Sequence, residues 1–306
     1  MSRAYTKKHN TPFLQIGTGQ RFSVLLHTKL NPAKSTYYIQ LESRERPTVT
    51  RSFAILNYGS MPSAPIYPPP TPPLTLPNTT LGFLDYALQP FHPDPSFPTA
   101  DEVTRRVIMT VHQKVSGPTT WLTNLYPWTQ TFPTEPYLVS LYKGDGVEYP
   151  SLPRALANNG IDPVSRAFVA EIGEVLEIVL QNTGADAGGL DAHPWHAHGA
   201  HYYDIGSGNG TYEPVANEAK LAGTHPIKRD TTMLYRYGMK TGNGTDQGWR
   251  AWRLRIDQPG VWMIHCHILQ HMIMGMQTVW VMGNETDVLG KVPRPDVEGY
   301  LVVSLF

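Results

Sequence analysis

Apolar and β-branched residues recur along this chain in short alternating runs, and side chains that alternate in this way line opposite faces of a strand. Residues 21–28, 36–42 and 53–58 read as three strands, with Gly17, Gly19, Asn31 and Pro32 supplying the turns between them. Three strands leave long unpaired edges, so the first 60 residues read as part of a domain whose other strands precede Met1. Eight further strands are expected at 105–113, 167–172, 175–182, 200–205, 231–237, 249–257, 261–265 and 277–282. Their turn signals fit a sandwich or barrel of about 200 residues. Residues 268–274 have room for a turn or two of helix, and the tail 291–306 receives no assignment.

Between the two strand groups, residues 61–80 hold Pro62, Pro65, Pro68, Pro69, Pro70, Pro72, Pro73 and Pro77. Proline removes ladder donors and favours an extended connection, so this stretch is expected to be the domain boundary. Composition supports an all-β reading, because 26 Gly and 28 Pro in 306 residues provide many turns, and 16 Tyr and 7 Trp favour strands.

Charge removes several functions. With 25 basic and 25 acidic residues the formal charge is zero, so no field attracts nucleic acid or an anionic membrane. No apolar run reaches the roughly 18 residues of a membrane helix, and residues 1–8 are basic without the apolar stretch of a secretory signal. Sequons at Asn78, Asn209, Asn243 and Asn284 nevertheless point to a glycosylated, secreted protein.

Histidine concentrates in two segments, His193-Pro-Trp-His196-Ala-His198 and His265-Cys266-His267-Ile-Leu-Gln-His271, with Met276 five residues further on. Cys266 is the only cysteine, which excludes intrachain disulfides and multi-thiolate clusters. In an extended strand His265 and His267 share one face and Cys266 takes the other. By the same rule His196 and His198 share a face, and His193 can point the opposite way. Two donor sets follow: Cys266, His193, His271 and Met276, and a second of His196, His198, His265 and His267. Two imidazoles, a thiolate and a thioether are the donors of a blue-copper site, whereas four imidazoles suit copper with open positions for a small ligand such as dioxygen. Cys266 is bonded to both flanking histidines, which gives electrons a short route between the sets. A non-catalytic copper-binding or electron-transfer protein, and a zinc hydrolase using the His2Cys set with water, are the alternatives.

The motifs HPWHAHG and HCHILQHMIMGM resemble the last two ligand motifs of the multicopper oxidases, the family of laccases and ascorbate oxidases. Residues 259–262, the HPIKRDT stretch at 225–231 and, more loosely, GTGQRFSVLL at 17–26 extend the likeness, the last to the end of the family's middle domain. The resemblance implies Greek-key cupredoxin (plastocyanin-like) β-barrels: a partial domain over 1–60, a linker over 61–80, a copper domain over 81–290 and a tail over 291–306. It further implies a mononuclear copper on His193, Cys266 and His271, with Met276 as axial ligand in the manner of ascorbate oxidases. A trinuclear copper cluster would be half-held by His196, His198, His265 and His267. The implied partners are a small-molecule electron donor, oxidised one electron at a time near His271, and dioxygen, reduced to water at the cluster. The family's HWHG and HxH motifs from a first domain have no counterpart, since His9, His27, His92 and His112 stand alone. A truncated chain lacking that domain is therefore expected, with oxidase turnover by this chain alone left open.

Overall fold

The structure, a computed structural model, describes residues 5–45, 48–59, 67–79, 81–129, 135–144, 146–188, 191–238, 244–292 and 294. The sequon asparagine Asn243, residues 61–66 of the proline-rich stretch and 295–306 of the tail lie outside the described residues. The chain divides into two compact units. One holds Thr11–Ile16 and Arg21–Thr80, and the other holds Met1–Asn10, Gly17–Gln20 and everything from Leu81 onward.

The smaller unit is built on one antiparallel hairpin, β1 (Thr36–Glu42) and β2 (Arg51–Asn57), paired in register from Thr36↔Asn57 to Glu42↔Arg51. Glu42 closes its loop end, bonded to Arg51 at 2.8 Å and to Arg44 at 2.9 Å. The proline-rich segment runs beside the hairpin. Gln40 accepts from Leu74 N and donates to Leu74 O, and Arg44 donates to the Pro77 carbonyl. The strand expected at 21–28 does not form, and Val24, Leu25 and Leu26 are exposed. Alternation supplies a face for burial, but a strand also needs a neighbouring edge to bond, and no described strand offers one to this segment.

The larger unit is a sandwich of two sheets. Its strands are β3 (Arg105–Lys114), β4 (Thr120–Thr123), β5 (Phe168–Ala170), β6 (Val175–Ala185), β7 (His193–Ala197), β8 (Tyr202–Gly208), β9 (Lys228–Arg229), β10 (Thr231–Leu234), β11 (Trp249–Arg255), β12 (Gly260–Cys266) and β13 (Gln277–Met282). One sheet has the order β10-β7-β12-β13-β5, the other β4-β3-β6-β11-β8-β9. Among the described strands only β3–β6 and β5–β13 run parallel.

Alternate residues of β6 explain both of its faces. Leu176, Ile178 and Leu180 enter the core with Met109, Trp195, Trp252, Cys266 and Trp280, drawn from both sheets. Val179, on the other face, packs with Tyr203, Trp249 and Leu221 of a short helix, α3 (Pro214–Leu221). Every residue of β6 is buried for that reason. The remaining helices, α1 (Tyr137–Lys143), α2 (Leu152–Leu156), α4 (Leu269–Ile273) and α5 (Glu285–Lys291), are no longer than seven residues. No helix among the described residues is long and apolar enough to cross a membrane.

The site depends on β7 and β12. They pair antiparallel with His196 opposite His265 and Trp195 opposite Cys266, so the two histidine motifs lie side by side.

Candidate metal centre

At the end of β12 the Cys266 side chain turns into the core and is fully buried. Its Sγ lies 3.9 Å from His193 Nδ1 and 3.8 Å from His271 Nδ1, and the two imidazole nitrogens are 3.1 Å apart. The three donor atoms thus converge on one point, all within 4.8 Å of one another. His193 arrives from β7 and His271 from α4. Two backbone bonds close the loop from Cys266 to Met276 that carries His271: Cys266 N donates to Met276 O at 3.0 Å and Met276 N to His271 O at 2.9 Å. Met276 is fully buried in the same core cluster as Cys266.

His196, His198 and His265 form a second group whose donor atoms lie within 4.8 Å of one another. His198 Nε2 is 3.2 Å from His265 Nε2. His267 stands next to this group: its ring centroid is 5.6 Å from that of His265 and 5.8 Å from that of His196. Backbone acceptors fix two of the rings. His265 Nδ1 lies 2.9 Å from the Cys266 carbonyl, and His196 Nδ1 lies 2.9 Å from the Asp230 carbonyl. An Nδ1–H given to a carbonyl leaves Nε2 unprotonated and ready to bind a metal. Burial pushes His265 down to about 4 and also lowers His196 and His198, so these imidazoles are neutral at pH 7.

Four neighbours of these donors are not among the expected ligands, although Gly19 and Thr231 lie in the stretches 17–26 and 225–231 that extend the family likeness. Trp121 on β4 lies against both His193 and His271, with ring centroids 4.8 and 4.7 Å away. Asp191 places Oδ2 3.5 Å from His271 Nε2, the nitrogen facing away from Cys266. Thr231 on β10 sets its hydroxyl 2.9 Å from His196 Nδ1. Gly19 lies against the His267 ring. Trp121, Thr231 and Gly19 come from strands or loops that only the fold brings close, and Asp191, two residues before His193, meets His271 only there. A search for ligand residue types along the sequence has no means of finding them. Trp195 is fully buried in the core beneath the site.

The donor chemistry fits copper. A buried thiolate with two imidazole nitrogens suits a borderline-to-soft transition metal in a trigonal plane, and a group made only of imidazoles suits a second, more open copper site. A two-sheet cupredoxin fold with these donors defines the class as a copper-type β-sandwich. The laccase of Botrytis aclada shares the fold, with a TM-score of 0.51 at 19% identity over 76% of this chain and 37% of that one.

The chain belongs to the multicopper oxidase family, whose profiles match residues 133–286 and 3–61. It is 48% identical to laccase-like multicopper oxidase 1 of Thermothelomyces thermophilus, over 90% of this chain and 45% of that protein. It is 45% identical to multicopper oxidase terE of Aspergillus terreus, over 97% of this chain and 61% of that protein. An L-ascorbate oxidase of Brassica rapa is 31% identical, over 94% and 51%. The chain therefore spans about half the length of the curated relatives it matches.

Proposed function

We propose that this chain is the thiolate-copper-bearing portion of a copper oxidoreductase that takes electrons singly from a small reducing substrate and delivers them to dioxygen. One observation carries the reading: Cys266 Sγ meets His193 and His271, while the adjacent His265 points into the imidazole group. Copper, when bound, cycles between its two oxidation states and supplies the redox chemistry. His193, Cys266 and His271 would hold the mononuclear ion, with the Met276 thioether as a further donor. His196, His198, His265 and His267 would contribute half the ligands of a trinuclear cluster. Histidines supplied from outside these two motifs would complete it.

The chain's own groups define the route. The His271 Nε2 edge, with the Asp191 carboxylate beside it, is where a donor molecule would meet the site. From Cys266 an electron has two short paths to His265, along the backbone bond and across the Nδ1–H···O=C contact of 2.9 Å. Trp121 and the core residues around Cys266 keep water from the thiolate. An electron carrier would have no use for a second, imidazole set so close to the thiolate, so the carrier reading is not favoured. Exposed asparagines of the sequons at Asn78 and Asn209 support a secreted, glycosylated protein.

The test is Cys266→Ser in copper-loaded protein. The intense blue absorption and any oxygen consumption should vanish while far-UV circular dichroism stays unchanged. A variant that remains blue removes the assignment.

A further inference from the structure

His267 differs from its neighbours in how it is held. The rings of His196 and His265 are fixed by carbonyl acceptors, whereas the imidazole of His267 has no hydrogen-bond partner among the described residues. Its backbone is tied down, with N donating to the Pro194 carbonyl at 2.7 Å, but that bond does not fix the side-chain torsions. Packing must supply what hydrogen bonds supply elsewhere.

The packing comes from a turn nearly 250 residues away in sequence that belongs to the same compact unit, Gly17–Gln20. Gln20 N donates to Gly17 O at 2.9 Å and Gly17 N to Gln20 Oε1 at 2.8 Å, so the turn is closed on itself. The other end of the same carboxamide ties it to the sheet, with Gln20 Nε2 donating to the Thr231 carbonyl at 3.2 Å. At the tip, Gly19 has φ +81°, a conformation natural to glycine, and its bare Cα lies against the His267 ring. A Cβ there would stand 2.6 Å from Cγ and 2.8 Å from Nε2, and closer still to Cδ2. The ring sits where it does because residue 19 has no side chain.

We infer that the Gly17–Gln20 turn is a positioning element for the imidazole set: Gly19 is the wall that fixes the His267 ring, and Gln20 is the clamp that holds the wall against β10. Thr231 couples the two ends of the device. Its carbonyl takes the clamp and its hydroxyl meets His196, so one residue of β10 locates both His267, through the turn, and His196 directly. The inference rests on the copper reading above but concerns the orientation of a side chain that exists with or without metal.

Two variants test it, each with metal-free and metal-loaded readouts. In metal-free chain labelled with 15N at histidine, the wild type should show a nuclear Overhauser contact between Gly19 Hα and the His267 ring. Gly19→Ala should shift the His267 ring signals and leave those of His193 and His271 in place. Gln20→Ala, which adds no bulk and no backbone strain, should weaken the contact and broaden the same signals. In copper-loaded protein both variants should keep the blue absorption. Copper bound beyond the first equivalent should be held about tenfold more weakly, the size of effect seen when a ligand loses its support. Unchanged His267 signals in a folded Gln20→Ala and an absent Gly19–His267 contact in the wild type would overturn the inference. Loss of the blue band in the wild type would instead strike at the copper reading and leave the positioning result standing.

Discussion

Trp121 is 3% exposed and lies against both histidines that meet Cys266, so it packs as an apolar wall of the thiolate site. Truncating a buried tryptophan removes a large apolar contact and leaves a cavity; Trp121→Ala should cost about 3–5 kcal/mol in urea unfolding. Trp121→Phe should recover most of that loss and serves as the control for shape. Thr231 acts through a single atom. Its hydroxyl meets His196 Nδ1, which the Asp230 carbonyl also approaches, and the residue is buried. Thr231→Val keeps the volume, leaves the carbonyl and removes the hydroxyl. Metal affinity at the imidazole set should then fall about tenfold in a cobalt(II) titration, with the blue band of copper-loaded protein unmoved. Asn284 shows how one residue can carry two readings: its side chain accepts from Asp287 N at 2.8 Å and caps α5 in a capping box. Helix capping therefore accounts for that asparagine without glycosylation.

The strands near the site were legible where alternation and turn residues agree. The run 36–42 coincides with β1 and the run 277–282 with β13. No strand is expected at 193–197, where Pro194 interrupts the pattern, yet Pro194 faces Met233 in the ladder and its carbonyl accepts from His267 N. The grouping of ligand types was legible because a two-residue period is local chemistry. The supports were not, because Trp121, Asp191, Thr231 and Gly19 become neighbours only through sheet order. α4 falls within the turn or two of helix expected at 268–274, but the other short helices escape for a similar reason, as five to eight residues are too few for a helical period to show. Around α2 the organising group is Asp162, fully buried, which accepts from Arg154 at 2.7 Å, from Ser151 N and Val164 N at 3.2 Å, and from Ser165 at 3.1 Å. Burial alone would raise its pKa, but these donors outweigh burial and hold the carboxyl below the usual carboxylate range. With the folded value depressed, its stabilisation is fully present above about pH 4, the unfolded value, and is lost as pH falls through the folded one. Asp162→Ala should therefore destabilise by about 3 kcal/mol at pH 7, and the gap from wild type should narrow in melts below about pH 4.

Arg250 joins the two sheets of the larger unit. It projects from β11, is 1% exposed, and donates to the Met233 carbonyl on β10 at 2.8 Å, which spans from one sheet to the other. Its guanidinium also reaches Asp204 on β8 and Asp85, both at 2.9 Å, and Asp85 in turn accepts from Ser207. Trp252 Nε1 donates to Thr232 at 2.8 Å and makes a second tie between β11 and β10. Among the described strands β10 is an edge strand with only β7 beside it, so these side chains do for it what a second ladder would. The imidazole set inherits the result, since Thr231 on β10 holds His196. Arg250→Met removes the guanidinium and leaves two carboxylates without their cation, which should cost about 3–5 kcal/mol. All seven tryptophans, Trp121, Trp128, Trp195, Trp249, Trp252, Trp262 and Trp280, lie in the larger unit, so tryptophan fluorescence follows its unfolding separately from the hairpin unit. The fluorescence transition of Arg250→Met should move to lower urea by that amount. In native buffer, cobalt(II) at the imidazole set should bind more weakly while the blue band persists, because β10 touches His196 and Cys266 is anchored on β12 instead. An equal loss at both metal sites would mean that Arg250 supports the sandwich as a whole and that β10 has no separate part in holding the imidazoles.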